Sequence, residues 1–269
     1  LILLPVVLYM ALLLLYACGN AGPASKEWPA YNDDAKNAVL LPIDSFSKQP
    51  FIQERVKEIT LALAQPIPVL LCRDSMNSQQ QLAEMIALRN TDFTRHVLDP
   101  QTRQPFRNEI FGVYPARQSD LVTVKEPYIL SSVYRVEMYN YALNLTSVAM
   151  VDITQQRVLA GYHQEEVQPD ISGRLRDLAV KIAVESPEVQ EALGFKPGET
   201  AALMASTKTA LNRSRCERSR HLCVAPTFVK GDKALWAIVD LTDHRLVGIR
   251  WTTVGEPGAA VPLVTERKL

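Results

Sequence analysis

A twelve-residue segment occurs twice in this chain, and the repeat constrains the fold more than any other feature of the sequence. Residues 149–160 read AMVDITQQRVLA, and residues 237–248, 88 positions later, read AIVDLTDHRLVG. Five of the twelve positions are identical when the copies are aligned without a gap. Each copy has an apolar run, a short polar turn and a second apolar run, which is the pattern of a β-hairpin. The repeat therefore predicts two related α+β units.

The bulk composition is that of an ordinary globular protein. The 269 residues leave room for a membrane segment and two domains of average size. Hydrophobic residues make up 47% of the chain and charged residues 22%, a balance that argues against broad disorder. Lysine plus arginine and aspartate plus glutamate each number 29, so the net charge gives no electrostatic reason to bind nucleic acid.

The N-terminal 17 residues are apolar and uncharged, and a run of this length is close to what is needed to cross a bilayer. Two interpretations remain open. Residues 1–18 are either a retained single-pass helix or a lipoprotein signal, because residues 15–18 resemble a lipobox that would place the lipid on Cys18. Both predict a bacterial protein anchored at the membrane, with its soluble part in the periplasm or outside the cell.

Proline and glycine residues mark the boundaries between segments in the rest of the chain. We expect a polar tether over residues 19–48, a first α+β domain over 49–168, a second over 169–254 and a loose tail over 255–269. The first domain is predicted to begin with a helix over residues 49–64 and a second helix capped by Asn77 or Ser78. In the second domain, Ser172 and Ser186 are predicted to begin helices. The apolar residues predicted to lie on one side of each of these first two helices are Ile52, Val56, Ile59 and Leu63, then Leu82, Met85, Ile86 and Leu88.

Two of the four cysteines, Cys216 and Cys223, flank a polar, arginine-rich loop. In an oxidising compartment they could close a small disulfide loop, and two reduced thiols are the alternative. With His221 they could also form part of a metal site. We prefer a disulfide or unrelated loop residues, because zinc and copper need three or four converging ligands. No cofactor is expected.

Residues 151–172 read VDITQQRVLAGYHQEEVQPDIS, and the helix that follows them runs into SPEVQEALG. This stretch resembles the small N-terminal domains of copper amine oxidases, termed N2 and N3. The matching features are the VD-[IL]-T strand and turn, Gln168-Pro169 before the helix, and residues 187–190 near its end. The second copy, VDLTDHRLVG, resembles the corresponding strand pair of the next domain. The resemblance covers about residues 95–254 and implies two tandem cystatin-like units, each with a helix packed on an antiparallel sheet.

The same resemblance does not imply amine oxidation. In that family the chemistry lies in a large C-terminal β-sandwich domain, with a topaquinone-forming tyrosine in Asn-Tyr-Asp/Glu and three copper-binding histidines. Here Asn140-Tyr141 is followed by Ala142, and the four histidines are far apart in the sequence. The resemblance therefore extends to architecture only, without the catalytic domain.

Asp152 and Asp240 occupy the same position of the repeat, where a strand enters a turn. Two acids could do acid–base chemistry. Their repeated position instead favours hydrogen bonds to the turn backbone. The sequence has no G-x-S-x-G motif, P-loop or dinucleotide fingerprint. We therefore expect no catalytic residues and no enzyme activity.

Two groups of residues are candidate partner contacts. One is aromatic and lies on a single predicted strand, where it would form a patch if exposed. The other is a run of arginines that could contact lipid headgroups or an acidic partner, although such a run is more often a solvated loop. These candidates are Tyr134, Tyr139 and Tyr141, and Arg213, Arg215, Arg218 and Arg220.

The expected function is that of a non-catalytic accessory or scaffolding subunit, docked on a larger membrane complex through its sheet faces and edges. One alternative is a stand-alone lipoprotein that binds a small ligand or peptide between helix and sheet. Another is a truncated amine-oxidase-like helper protein. A docked subunit should carry a broad apolar or aromatic patch, whereas a ligand binder should have one concave pocket with converging polar groups.

Overall fold

Helices and mainly antiparallel strands alternate along the chain in two successive groups. The computed structural model describes residues 38–40, 48–72, 75–201, 203–205, 216 and 221–253. Within these residues the strands are β1 (Ala38–Leu40), β2 (Val69–Leu70), β3 (Asn108–Pro115), β4 (Val133–Asn140), β5 (Leu145–Asp152), β6 (Arg157–Glu165), β7 (Leu203–Ala205), β8 (Cys223–Lys230), β9 (Lys233–Asp240) and β10 (Arg245–Thr253). The α-helices of the same residues are α1 (Pro50–Leu63), α2 (Ser78–Arg89), α3 (Gly173–Glu185) and α4 (Pro187–Leu193). The predicted α+β class is confirmed.

The helix boundaries follow from local capping signals. At the start of α2, the side chain of Asn77 accepts a hydrogen bond from the backbone N–H of Gln80 at 2.9 Å, and the Gln80 side chain accepts one from Asn77 in return. The hydroxyl of Ser172 caps α3, as predicted. Helix α4 has Pro187 in its first turn and ends at Gly194, whose φ of 78° is a left-handed conformation that glycine adopts without strain.

The first sheet has the strand order β2-β3-β4-β5-β6. Strand β2 runs parallel to β3, and the other neighbours are antiparallel. Helix α2 covers one face of this sheet, where its small residues Ala83 and Ala87 and the larger Ile86 lie in one buried cluster with Val136 and Ala149. The short alanine side chains allow the helix to approach the sheet closely.

The second sheet has the strand order β1-β10-β9-β8-β7 and is antiparallel at each pairing. Its outer strand β1 pairs with β10, with Ala38 opposite Arg250. The predicted tether over residues 19–48 is therefore wrong at residues 38–40. A three-residue strand is too short to show the alternation of apolar and polar residues from which strands are predicted, and its partner lies near the other end of the chain.

Both copies of the repeated segment form a hairpin, and the two hairpins match in detail. In each turn the aspartate Oδ1 accepts two backbone N–H bonds: Asp152 from Thr154 at 2.8 Å and Gln155 at 3.0 Å, and Asp240 from its two equivalents at 2.8 and 3.1 Å. The last turn residue has a positive φ in both, 52° at Gln156 and 53° at His244. Each second strand then has one bulged residue at the same place in the repeat. The aspartates are thus turn caps, as the repeat predicts.

The two sheets share one hydrophobic core. Phe111 and Tyr139 of the first sheet belong to the same buried cluster as Ile52 of α1, Leu175 of α3 and Leu235 of β9. The described residues accordingly fall in a single compact unit that spans Tyr31–Leu269. The predicted boundary between residues 168 and 169 separates two sheets that are packed together.

Several predicted segments lie outside the described residues. They include the apolar segment with Cys18, the tail over residues 255–269 and the four arginines Arg213, Arg215, Arg218 and Arg220. Among the residues that the structure does describe, none of the helices combines the length and the hydrophobicity needed to span a bilayer.

Candidate functional site

An apolar groove lies along one face of α2 and has a volume of about 630 Å³. Polar side chains, among them Gln81 and Arg89, also contribute to the lining. Three of the apolar lining residues are substantially exposed: Ile67 at 39%, Leu71 at 42% and Met85 at 45%. The groove therefore offers apolar surface to a partner in a concave form. The aliphatic and thioether side chains of its lining are Ile67, Leu71, Met76, Leu82, Met85 and Leu88.

Two hydrogen bonds hold the walls of the groove in place. The side-chain amide of Gln80 on α2 donates to the carbonyl oxygen of Val113 on β3 at 2.6 Å, which fixes the rotation of the helix on the sheet. On the opposite wall, the backbone N–H of Cys72 donates to Oε1 of Glu84 at 2.7 Å. Glu84 is buried, so this bond satisfies a carboxylate that would otherwise be costly to remove from water. These two hydrogen bonds between backbone and side chain thus fix the position of the groove walls.

The apolar side predicted for α2 is only partly buried. Ile86 is buried, but Met85 is 45% exposed, and Leu82 and Leu88 pack against the edge of the core while they also line the groove. Ala83 and Ala87, four residues apart, take the fully buried positions. The larger apolar residues therefore lie to one side of the face that meets the sheet. The pair of alanines is the signal that could have located the groove.

The tyrosines proposed as a partner-contact patch are buried. Tyr134, Tyr139 and Tyr141 are 5%, 0% and 6% exposed, so the predicted aromatic surface is wrong. The reason is that β4 is an inner strand whose two faces are both covered. Tyr134 faces α2, whereas Tyr139 and Tyr141 enter the core shared with α1 and α3. Burial, above all, raises the pKa of Tyr139 to about 12.

A buried ion pair connects α1 to the first sheet. Nη2 of Arg55 donates to Oε2 of Glu109 at 2.5 Å, and the hydroxyl of Tyr141 donates to the same oxygen at 2.8 Å. Burial is the largest single influence on the pKa of Arg55 and lowers it, but the charges of Glu109, Tyr141 and Glu58 and the hydrogen bond to Glu109 together raise the pKa overall. The pKa of Tyr141 is raised by burial and by the same carboxylate. Together the three side chains form a polar contact within the core, in which Nε of Arg55 makes no hydrogen bond among the described residues.

The ion pair also explains an error in the predicted face of α1. Ile52 is buried as predicted, but Val56 is 48% exposed, and Arg55 is buried in its place with 4% exposure. A charged residue does not count toward an apolar stripe, so helical periodicity could not place Arg55 inside. Its partner Glu109 is 54 positions away in the chain.

The disulfide and histidine candidates come together at the entrance to the second hairpin. Cys216 and Cys223 form a disulfide with a Cα–Cα distance of 5.6 Å. Nδ1 of His221 lies 2.8 Å from Oδ2 of the buried Asp240, and 3.9 Å from Oδ2 of Asp243. Of the other histidines, His96 contacts His163 of the first sheet edge-on, whereas His244 lies in the turn of this same hairpin.

No protein-family model matches the sequence, and no curated protein matches it significantly. The resemblance to the N-terminal domains of copper amine oxidases therefore stays a prediction. The function must be inferred from the geometry of this chain, in which the groove on α2 is a concave apolar feature at the surface of the described residues.

Proposed function

We propose that this protein is a non-catalytic accessory subunit of a membrane complex, and that it docks by receiving an apolar helix of a partner protein in the groove on α2. The observation that carries the proposal is the groove itself, with its concave shape, a volume of about 630 Å³ and a lining rich in leucine, isoleucine and methionine. The apolar N-terminal segment would anchor the protein at a bacterial membrane, with the folded part in the periplasm or outside the cell.

The dimensions and chemistry of the groove favour a helix as the occupant. The 12 residues of α2 correspond to about 18 Å, the length of a three-turn helix lying alongside it. Such a helix would insert apolar residues at the spacing i, i+3 or i+4 and i+7. Met76 and Met85 are flexible and can adapt to its side chains. Arg89 at one end of the groove would pair with an acidic residue of the partner.

The packing of the two halves supports the tandem cystatin-like interpretation as part of this proposal. One α-helix lies on each sheet: α2 on the first, and α3 against strands β8, β9 and β10 of the second. Each sheet contains a hairpin with an aspartate-capped turn at the same place in the repeat. Two such units without a shared active site are suited to a scaffolding role.

A stand-alone lipoprotein that binds a small apolar ligand is the second candidate. The volume of the groove favours it, because 630 Å³ lies within the range of about 300–1,000 Å³ that is typical of small-molecule sites. The two candidates differ in what should be found in the groove after purification: a partner helix in the first case, a lipid or small molecule in the second.

Site-specific crosslinking tests the proposal. Met85 is replaced with photoreactive p-benzoylphenylalanine in the full chain, the membranes are irradiated, and the crosslinked peptide is identified by mass spectrometry. Val122 provides the matched control position. It is 82% exposed and follows Leu121, whose cluster contains Val148 and Met150 and not the residues of α2. Met85→Asp and Val122→Asp variants are purified in mild detergent in parallel.

The proposal predicts a crosslink from position 85, but not from position 122, to an apolar helical segment of one partner. It also predicts that Met85→Asp loses this partner while Val122→Asp keeps it in stoichiometric amount. Met85 is half exposed, so the aspartate should not impair folding, which circular dichroism can verify. Retention of the complex by Met85→Asp, or a groove that yields only lipid or a small molecule, would overturn the proposal and, in the second case, support the alternative.

A further inference from the structure

Two sets of potential metal ligands meet at the buried carboxylate of Asp240. The Sγ atoms of Cys216 and Cys223 and a carboxylate oxygen of Asp240 all lie within 4.8 Å of one another. The ligand atoms of His221, Asp240 and Asp243 satisfy the same limit. In the oxidised protein the two sulfurs are bonded to each other, so they cannot bind a metal ion.

We propose that reduction of the Cys216–Cys223 disulfide creates a closed zinc site, with the two thiolates, the imidazole of His221 and the carboxylate of Asp240 as its four ligands. Two cysteines, one histidine and one carboxylate are ligand types that Zn²⁺ binds with tetrahedral geometry. The disulfide and the zinc site are alternative states of one locus, selected by the redox conditions and by the availability of the metal.

Within each of the two ligand groups the distances require only small movements, and His221 must in addition turn about its side-chain bonds toward the sulfurs, because the two groups share only Asp240. With bonds of about 2.0 Å to nitrogen and oxygen, tetrahedral geometry places the two ligand atoms about 3.3 Å apart. Nδ1 of His221 and Oδ2 of Asp240 are 2.8 Å apart, so they must separate by roughly 0.5 Å. The two thiolates must lie about 3.8 Å apart at zinc–sulfur bonds of about 2.3 Å. Side-chain rotation can supply this separation at the observed Cα–Cα distance of 5.6 Å.

Asp240 can bind the metal and keep its hydrogen bonds to the turn backbone. Its Oδ1 accepts the backbone N–H groups of Thr242 and Asp243, whereas Oδ2 faces His221. A metal would bind at Oδ2. The hydrogen bonds to Oδ1 would then orient the carboxylate, as outer-shell bonds do in other metal sites.

The charge of the proposed complex suits a buried locus. Zn²⁺ with two thiolates and one carboxylate has a net charge of −1, which is the charge that the carboxylate of Asp240 gives the locus in the disulfide form. Arg245, which lies opposite Asp240 in the hairpin register, is 9% exposed, and its Nε lies 3.6 Å from Oδ2 of Asp243. Binding of the ion therefore adds no net charge beside this buried guanidinium.

Reduction of the disulfide precedes the binding of zinc. A dithiol reductant transfers two electrons and two protons to the disulfide, becomes a disulfide itself, and leaves Cys216 and Cys223 as thiols. Zn²⁺ then displaces the two thiol protons into solvent. The imidazole of His221 binds through Nδ1, and in the metal-bound form the ring proton is on Nε2.

Cobalt binding to the full chain in detergent tests the proposal, in a Cys72→Ser background so that Cys216 and Cys223 are the thiols of the folded part. After anaerobic reduction and removal of the reductant, Co²⁺ is titrated. We expect one equivalent to bind, with a thiolate-to-cobalt charge-transfer band and the visible bands of tetrahedral cobalt, and we expect Zn²⁺ to displace it. The oxidised protein should show no thiolate band. His221→Ala should weaken Zn²⁺ binding at least about tenfold, by comparison with losses of 10–100-fold for outer-shell groups.

Two further variants keep the test decisive. Asp240→Asn retains an acceptor for the turn and should weaken zinc binding, while His163→Ala, in the first sheet, should leave it unchanged. The proposal is overturned if reduction unfolds the chain, if cobalt binds without a thiolate band or not at all, or if His221→Ala and Asp240→Asn bind Zn²⁺ as tightly as the parent.

Discussion

Arg107 and His244 join the two sheets through a contact of 3.1 Å between Nη2 of the arginine and Nε2 of the histidine. The same guanidinium donates to the backbone carbonyl oxygen of Thr242 at 2.8 Å and lies 3.7 Å above the ring of Tyr141. Since arginine can only donate, Nε2 of His244 must be the acceptor, and the imidazole must be neutral. Burial, followed by the charges of Arg107 and Arg55, lowers the pKa of His244 to about 2.

This contact makes stability depend on pH. The pKa of His244 is about 2 in the folded protein, below its ordinary value of 6.5, so protons bind the unfolded chain preferentially. The contribution of His244 to the free energy of unfolding is complete above pH 6.5. It is lost as the pH falls from 6.5 toward 2, by about 1.4 kcal/mol per pH unit. Asparagine tolerates the positive φ at this position and does not titrate.

The measurement is urea unfolding of the parent and of His244→Asn between pH 7 and pH 4. The difference between their free energies of unfolding isolates this histidine from His163, whose pKa is also lowered, first by burial. We expect the parent to lose about 1.4 kcal/mol per pH unit relative to the variant. Parallel curves for the two proteins would show that His244 is not buried in the neutral form.

Removal of one member of the Arg55–Glu109 pair should be strongly destabilising. Arg55→Met leaves the buried Glu109 with Tyr141 alone, and we expect a loss of about 3–5 kcal/mol in the free energy of unfolding. Arg55→Met combined with Glu109→Gln should recover part of this loss, because the neutral amide can still accept from Tyr141. Denaturant titration of the single and double variants gives the coupling between the two residues.

An exposed ion pair is the matched control. Arg95 and Asp92 form a salt bridge, but their side chains are 61% and 45% exposed. Arg95→Ala should therefore change the free energy of unfolding by less than about 1 kcal/mol. Equal effects of Arg55→Met and Arg95→Ala would mean that α1 is not packed on the first sheet in solution.

The two turn aspartates should differ in their contribution to stability. Asp152→Ala removes the acceptor of two turn N–H groups and of the Ser132 hydroxyl, and we expect a cost of about 1–3 kcal/mol. Asp240→Ala should cost more, because the two aspartates are equally buried and Asp240 also pairs with His221. Thermal or urea unfolding at pH 7 measures both. A smaller cost for Asp240→Ala would contradict the assigned role of His221.

The positive φ of Gln156 predicts a stabilising substitution. A left-handed conformation costs a non-glycine residue roughly 1–2 kcal/mol, and glycine adopts it without this cost. Since Gln156 has a φ of 52° and an exposed side chain, Gln156→Gly should raise the free energy of unfolding by up to about 1 kcal/mol. A loss of stability would show that the turn of the first hairpin does not hold this conformation.

The features that were predictable from the sequence are those that depend on neighbouring residues. The two hairpins, the cap of α3 by Ser172 and the Pro187 and Gly194 boundaries of α4 are set by side chains within a few positions of the backbone that they satisfy. The pairing of β1 with β10 and of Arg55 with Glu109 joins segments that are distant in the chain. No local pattern marks either pairing.

The candidate site was missed for a related reason. The sequence suggested apolar faces for α2 but not which of two overlapping faces meets the sheet, and the alanines Ala83 and Ala87 decide that question. Tyr134, Tyr139 and Tyr141 were candidates for a surface patch because the sequence does not show whether both faces of their strand are covered. Only the shared core, which brings α1 and α3 against the first sheet, determines that both faces of β4 are covered.

The pairing of β1 with β10 affects how the protein must fold during synthesis. Ala38 and its partner Arg250 are 250 − 38 = 212 positions apart, so at about 5–20 residues per second the ribosome makes the partner roughly 10–40 s after Ala38. The strands of the first sheet are complete by Glu165, so that sheet can form while the second is still being translated. During that interval the apolar side chain of Ile52 lacks its partners on α3 and β9, and apolar surface left uncovered in this way promotes aggregation of a nascent chain.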